Sequence, residues 1–149
     1  MNIKARTIIS GVFLLCAAGC ASGPTYEEFS STIYPPLPLD GRIYIYLTTA
    51  FGAAVQPAIM VNGVEVGTAS LKSFICLDRL AGKYEVSAST KAERSLSLTL
   101  EDGEVKYIRL DVKLGLFGGQ IEPVLVDKAV GEQELKSMNF AGDHAVAAC

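Results

Sequence analysis

From residue 43 to residue 126 apolar side chains recur at every second position. That period of two, broken by Asn-Gly and Asp-Gly pairs, restricts the chain to short strands joined by tight turns. Ile43, Ile45 and Leu47 alternate with Tyr44 and Tyr46. Residues 57–61 and 64–68 flank Asn62-Gly63, a pair suited to a type I′ turn because both central residues need positive φ. Residues 72–77 put Phe74 and Cys76 on one face, and Tyr84, Val86, Ala88 and Thr90 alternate with Glu85, Ser87 and Ser89. Leu96, Leu98 and Leu100 then alternate with serine and threonine, and Ile108, Leu110, Val112 and Leu114 with Arg109, Asp111 and Lys113; Asp102-Gly103 lies between these two runs as a second hairpin turn.

The apolar parity shifts between Val105 and Ile108, which predicts a bulge or twist near Tyr107. Residues 121–126 read as a last strand. Pro123 has no N–H to donate, so this strand belongs at a sheet edge. Residues 127–138 read as a short helix with Val130, Leu135 and Met138 on its apolar side, weakened by Gly131. About 7–8 short strands with turn signals between them predict an all-β, antiparallel β-sandwich with one short C-terminal helix. Alternating polar positions predict one wet face per sheet.

Ahead of this domain lie a leader and a tether. Met1 to Arg6 is a short basic start, an apolar run follows to Leu15, and Ala17 and Gly19 are the small residues that secretory cleavage needs. The leader is shorter than the roughly 20 apolar residues of a membrane-spanning helix, so residues 1–19 read as a removed signal peptide. Leu15-Cys16-Ala17-Ala18-Gly19-Cys20 resembles a lipobox, where a signal peptidase cuts between Gly19 and Cys20 after the Cys20 thiol has received diacylglycerol. Cys16 is a poor rival, because Leu14 and Leu15 are too large before it. Two or three acyl chains at about 0.8 kcal/mol per buried methylene make a stable anchor. Ala21 in place of Asp resembles the sorting signal for the outer membrane, with the periplasmic face expected. Residues 20–41 form the lipidated N-terminus and a Pro/Ser-rich tether, residues 42–138 the sandwich with its helix, and residues 139–149 an unpatterned tail. Fully extended in polyproline form, residues 21–41 would reach roughly 65 Å.

The formal charge is −3. Loss of Lys4 and Arg6 with the leader takes it to −5. No basic run is present to displace counterions from phosphates, so the chain is not expected to bind nucleic acid. An acidic domain is also repelled by anionic lipid, which leaves the acyl chains as the membrane attachment.

Three further blocks carry a family resemblance. Gly41-Arg42-Ile43-Tyr44-Ile45-Tyr46, Val61-Asn62-Gly63-Val64-Glu65-Val66-Gly67 and Gly82-Lys83-Tyr84-Glu85-Val86 are similar to the domain of unknown function 2846 family of bacterial lipoproteins. Gly118-Gly119-Gln120-Ile121 and Gly131-Glu132-Gln133-Glu134-Leu135 extend the resemblance to about residues 40–137. Leu80-Ala81-Gly82 stands where many members carry a Pro-Pro-Gly turn. The resemblance implies a small β-rich lipoprotein domain and brings no catalytic or binding residues.

Chemistry-bearing residues are sparse. His144 lies in the tail, away from any scaffold that could hold it as a base. Cys76, His144 and Cys149 lack zinc-ligand spacing, so no metal and no cofactor is expected. Asp78-Arg79 reads as a solvated turn with a local charge pair, and Glu101, Asp102 and Glu104 as a solvated hairpin tip without the oxygens that calcium needs. With Cys20 acylated, Cys76 and Cys149 are an even pair in an oxidising compartment; a disulfide and a free buried Cys76 both remain open. Residues 50–55 and 115–119 are apolar, glycine-rich loops holding Phe51 and Phe117. Both follow odd-numbered strands and would emerge at one end, away from the tether. There they either cap the core or form a partner-facing tip. These features point to a non-enzymatic accessory or protein-interaction module of the cell envelope. The alternative is a small-ligand or glycan-binding sandwich, against which the lack of tryptophan argues.

Overall fold

In the computed structural model, residues 23–49, 56–89, 94–115, 118–142 and 149 are described. A helix α1 (Tyr26–Thr32) is followed by β1 (Asp40–Leu47), β2 (Ala58–Val61), β3 (Val64–Thr68), β4 (Ser73–Leu80), β5 (Gly82–Ala88), β6 (Arg94–Leu100), β7 (Val105–Gly115), β8 (Gly118–Val126), α2 (Lys128–Leu135) and β9 (Asn139–Phe140). The strands form two sheets, ordered β8-β7-β1-β4-β9 and β3-β2-β5-β6. The expected all-β sandwich with a short C-terminal helix is what forms.

Asn62 and Gly63 both have positive φ, at 50° and 75°, as the hairpin between β2 and β3 requires. β8 is an edge strand, so Pro123 forfeits no ladder bond on its outer side. One expectation is corrected: pairing is not antiparallel throughout. β1 pairs with β7 in parallel, Tyr44 opposite Tyr107, and β4 pairs with β9 in parallel. The chain crosses to the second sheet as β5 and β6 before returning as β7, and parallel neighbours need such a crossover. The bulge expected near Tyr107 is absent, because the β7 register against β1 and β8 runs unbroken; the irregularity lies instead between Ile59 and Met60.

The reason for the parity shift is that the larger sheet is covered on both faces. Ile43, Ile45, Ile75, Leu77, Ile108 and Leu110 are buried in a core shared with Ile59, Val61, Val86, Ala88, Leu98 and Leu100 of the second sheet. The other face carries Tyr44, Phe74 and Tyr107, and the two helices lie over it. Tyr26 packs edge-on to Tyr44 and Phe74 with ring centroids 5.9 and 5.7 Å apart, and Phe29 stacks on Phe140 at 4.5 Å. Over β1, β4 and the start of β7 the larger sheet therefore has no wet face, while Lys113 and Glu122 remain accessible farther along β7 and β8. The smaller sheet has one, with Lys83, Glu85, Ser97 and Thr99 exposed.

The tether expectation changes for the same reason. A seven-residue helix is unstable alone. α1 is held by a capping box, in which the Thr25 N–H donates to Glu28 Oε2 at 2.9 Å and the Glu28 N–H to Thr25 Oγ1 at 3.3 Å. Those donors hold the Glu28 carboxyl below its usual range. Burial of Phe29 adds roughly 2 kcal/mol of the kind expected for a core aromatic. The tail likewise contributes, since Asn139 and Phe140 form β9 and Phe140 joins the core. The packed unit thus extends beyond residues 42–138 at both ends.

Candidate functional site

The face beneath the helices concentrates the polar chemistry of the domain. Arg42 on β1 is only 5% exposed. Its Nε and Nη2 donate to the two carboxylate oxygens of Asp78 on β4, each at 2.7 Å, and Nη2 also donates to the Tyr34 carbonyl at 2.7 Å. Burial pulls the Arg42 pKa down, but the bonds to Asp78 outweigh it and the net shift is upward. Asp78 lies within β4; its carboxylate pairs across the sheet with Arg42 while its carbonyl accepts from Arg79 Nη1 at 2.8 Å, which corrects the solvated-turn expectation. Further along β1, the Tyr46 hydroxyl donates to Glu134 Oε2 of α2 at 2.7 Å. Arg109 on β7 donates to the other Glu134 oxygen at 2.9 Å and to Asp111 at 2.7 Å.

Burial pushes the Tyr44 hydroxyl up to about 12, with neighbouring Tyr26 adding to the shift. Tyr46 and Tyr107 are also raised, by burial first and then by Glu134 and Glu132 respectively. Among the described residues no buried side-chain nitrogen or oxygen lacks a partner. This network is therefore saturated by its own members: it fastens α2 and the segment after α1 to the sheet.

Cys76 on β4 and Cys149 form a disulfide, with Cα atoms 5.7 Å apart. Among the described residues Cys76, Asp78 and Cys149 are the group whose potential ligand atoms lie within 4.8 Å of one another. It does not suit a metal ion, because the sulfurs are spent on each other and Asp78 is engaged by both Arg42 nitrogens. The acidic turn between β6 and β7 is not the expected hairpin, because it joins strands of different sheets, and it is internally engaged. Asp102 accepts from the Leu39 N–H, Glu104 from the Glu101 N–H, and Glu104 pairs with Lys106.

Gly19, Cys20, Phe51, Phe117 and His144 lie outside the described residues. The strands flanking the two apolar loops are described. β1 and β7 run in the same direction, so the C-terminal ends of these two strands lie at one end of the sandwich. The placement of the tether at the opposite end is corrected. Phe140 N–H donates to the Pro24 carbonyl at 2.8 Å, and Thr25 bridges Asn139. Asn139 pairs with Ser73, which lies opposite Leu47, the last residue of β1. The segment nearest Cys20 therefore starts beside this end, and residues 33–39 carry the chain to the other end. The aromatic side of α1, docked on Phe74 and Phe140, imposes this path.

An open groove of about 540 Å³ crosses the wet face of the smaller sheet, lined by Asn62, Lys83, Tyr84, Glu85, Ser97 and Thr99 among others. Sequence reading did not single it out, nor Arg42, Tyr46 and Glu134, whose alliance is tertiary. The tether reading also missed α1, whose signal was the capping-box spacing of Thr25-Tyr26-Glu27-Glu28.

Among the described residues no helix is long and apolar enough to cross a membrane. No solved structure matches the chain. A protein of Haemophilus influenzae (strain ATCC 51907 / DSM 11121 / KW20 / Rd), described as an uncharacterized protein, is 28% identical over 148 residues, covering 96% of this chain and 88% of its own. The model of a family described as protein of unknown function (DUF2846) matches residues 40–120, from the first residue of β1 into β8. That stretch is more than half of the chain and holds the central strands of both sheets, and the chain belongs to the DUF2846 family.

Proposed function

We propose that the chain from Cys20 onward is a lipid-anchored, non-enzymatic accessory module of the bacterial cell envelope, held at the outer membrane and acting by contact with an envelope protein. The leader carries the reading. A basic start, an apolar run, small residues and Cys20 fall in the order that lipid modification requires. The position of the packed domain supports it. Gly23, three residues after Cys20, lies against the Phe140 carbonyl so closely that a Cβ there would stand 2.0 Å from its oxygen. The packed domain thus begins three residues after the residue that would carry the lipid, which would hold it close to the bilayer.

The test is the Cys20→Ala variant beside the wild type. The wild type should incorporate labelled palmitate and sediment with outer membranes. The variant should do neither and should accumulate uncleaved or soluble. Wild-type processing and sedimentation of the variant, or no palmitate on the wild type, ends the reading. A second reading, a small-ligand or glycan binder, rests on the groove lined by Lys83, Glu85 and Thr99. Saturable binding of a soluble glycan, abolished by Lys83→Ala with Glu85→Ala in a folded domain, would favour it over the first.

A further inference from the structure

The acyl anchor, if Cys20 carries it, fixes more than attachment. Between Cys20 and Gly23 the chain can span at most about 10 Å. Gly23, Pro24 and Thr25 run along β9 as an added edge, so the corner of the sandwich beside them is held close to the lipid. The turn between β3 and β4 forms that corner: the Lys72 carbonyl accepts the Asn139 N–H at 3.1 Å, and Asn139 is the residue bridged to Thr25.

Two features of this turn stand out. Leu71 is 55% exposed, and Lys72 adopts a left-handed backbone with φ 54°, a conformation costly for a residue with a Cβ. The turn is also rigid, because the Lys72 N–H donates to the Leu47 carbonyl at 3.0 Å and the Ser73 hydroxyl donates to the Ser70 carbonyl at 2.6 Å. A fixed loop thus presents a leucine and an ammonium next to the anchored segment.

Charge differs between the two ends as well. At the end where β1 finishes and β4 begins, the described connecting residues 48–49, 56–57, 69–72 and 89 carry Lys72 as their only charge, with Lys136 in the connection into β9 and Glu27 and Glu28, the latter engaged by Thr25, opening α1. At the opposite end the β6–β7 turn carries Glu101, Asp102 and Glu104, beside Asp40 at the start of β1. An anionic surface repels the second end, whereas at the first Lys72 and Lys136 offset Glu27 and Glu28.

We propose that the acylated domain lies against the bilayer at this corner, with Leu71 in the headgroup layer and Lys72 on lipid phosphates; the proposal rests on acylation of Cys20. The occupant is a lipid surface because the connection from Cys20 is too short for the corner to be held far from one.

The experiment uses the acylated protein in vesicles of phosphatidylethanolamine and phosphatidylglycerol, with a nitroxide on Leu71→Cys or on Leu80→Cys. Leu80 is an exposed leucine at the far end of β4. Mass spectrometry of Cys20 and vesicle co-flotation come first. On vesicle addition the label at 71 should lose access to a water-soluble nickel chelate and gain access to oxygen, while the label at 80 keeps full nickel access. A bound, acylated protein whose label at 71 stays in water, or whose label at 80 is the one protected, overturns the inference and leaves the anchor standing. Protection at 71 without vesicles overturns it in favour of self-association. An unmodified Cys20 overturns the anchor reading itself.

Discussion

Arg42 and Asp78, 36 residues apart in the chain, sit opposite each other on β1 and β4 and share two hydrogen bonds of 2.7 Å beneath the segment that follows α1. Asp78→Ala would leave the buried guanidinium with only the Tyr34 carbonyl among these partners. Breaking one side of a buried pair costs about 3–5 kcal/mol, so the variant should lose about 3 kcal/mol in urea denaturation with an unchanged slope. The double variant Arg42→Met, Asp78→Leu should recover most of that loss, because no buried charge then remains. A loss under about 1 kcal/mol for Asp78→Ala would mean that water reaches Arg42 and that the pair does not clamp this edge.

Gly131 is the second fixed point. A Cβ there would lie 2.4–2.6 Å from Cβ, Cγ and Cδ1 of Tyr107, which is itself buried against Tyr44. On helix propensity alone Gly131→Ala should stabilise α2 by about 1 kcal/mol. Contact with Tyr107 reverses the sign, since overpacking costs about 1–3 kcal/mol. The variant should therefore melt below the wild type in calorimetry, and Gly131→Ala combined with Tyr107→Leu should recover part of the difference. A higher melting temperature for the single variant would show that α2 can lift from β7 freely.

These two positions show where sequence reading stops. Ile43, Ile45, Val86, Leu98, Leu100 and Ile108 were legible as core because each belongs to a strand whose alternation reports one buried face. Tyr44, Tyr46 and Tyr107 read as the polar side of the same strands, and Tyr107 as a break in parity. They are buried because helices cover the second face, and a strand covered on both faces no longer alternates. Gly131 read as a flaw in the helix when it is the residue that lets the helix approach. The parallel partnership of β1 and β7 joins segments about sixty residues apart, which no local pattern encodes. Of the candidate site residues named from sequence, Cys76 and Cys149 come together within the described chain, and the choice between bridge and free thiol needed their geometry.

That bridge closes a loop of 73 residues. Constraining the unfolded chain over this length is worth about 4 kcal/mol in the loop-entropy account. Cys149→Ser should lower stability by about 2–4 kcal/mol, read as a lower urea midpoint, and a non-reduced digest of the wild type should yield the linked peptide. Reductant should then bring the wild type to the variant's midpoint and leave the variant itself unchanged. Identical midpoints for oxidised wild type and variant would assign the bridge no share in stability.

Tyrosine burial sets an alkaline limit. Tyr44 titrates near an ordinary value of 10 when unfolded and at about 12 when folded, because burial disfavours the phenolate. Below pH 10 both states keep the proton, and the neutral hydroxyl's contribution is complete. Between pH 10 and 12 the unfolded chain releases it while the folded chain holds it, so stability falls as pH rises. Tyr44 alone removes up to about 2–3 kcal/mol across that window. Tyr46 and Tyr107, raised in the same direction by burial and by Glu134 and Glu132, steepen the fall. Urea midpoints should hold near pH 9 and drop continuously above 10; in a Tyr34→Phe, Tyr84→Phe background, which removes the exposed Tyr34 and the tyrosine of the other sheet, tyrosinate absorbance should rise together with loss of far-ultraviolet structure rather than before it. Tyr44→Phe should begin from a shifted baseline but show a shallower decline. Tyrosinate formed near pH 10 while that Tyr34→Phe, Tyr84→Phe domain stays folded would mean that water reaches the remaining hydroxyls and that the helices do not seal this face of the sheet.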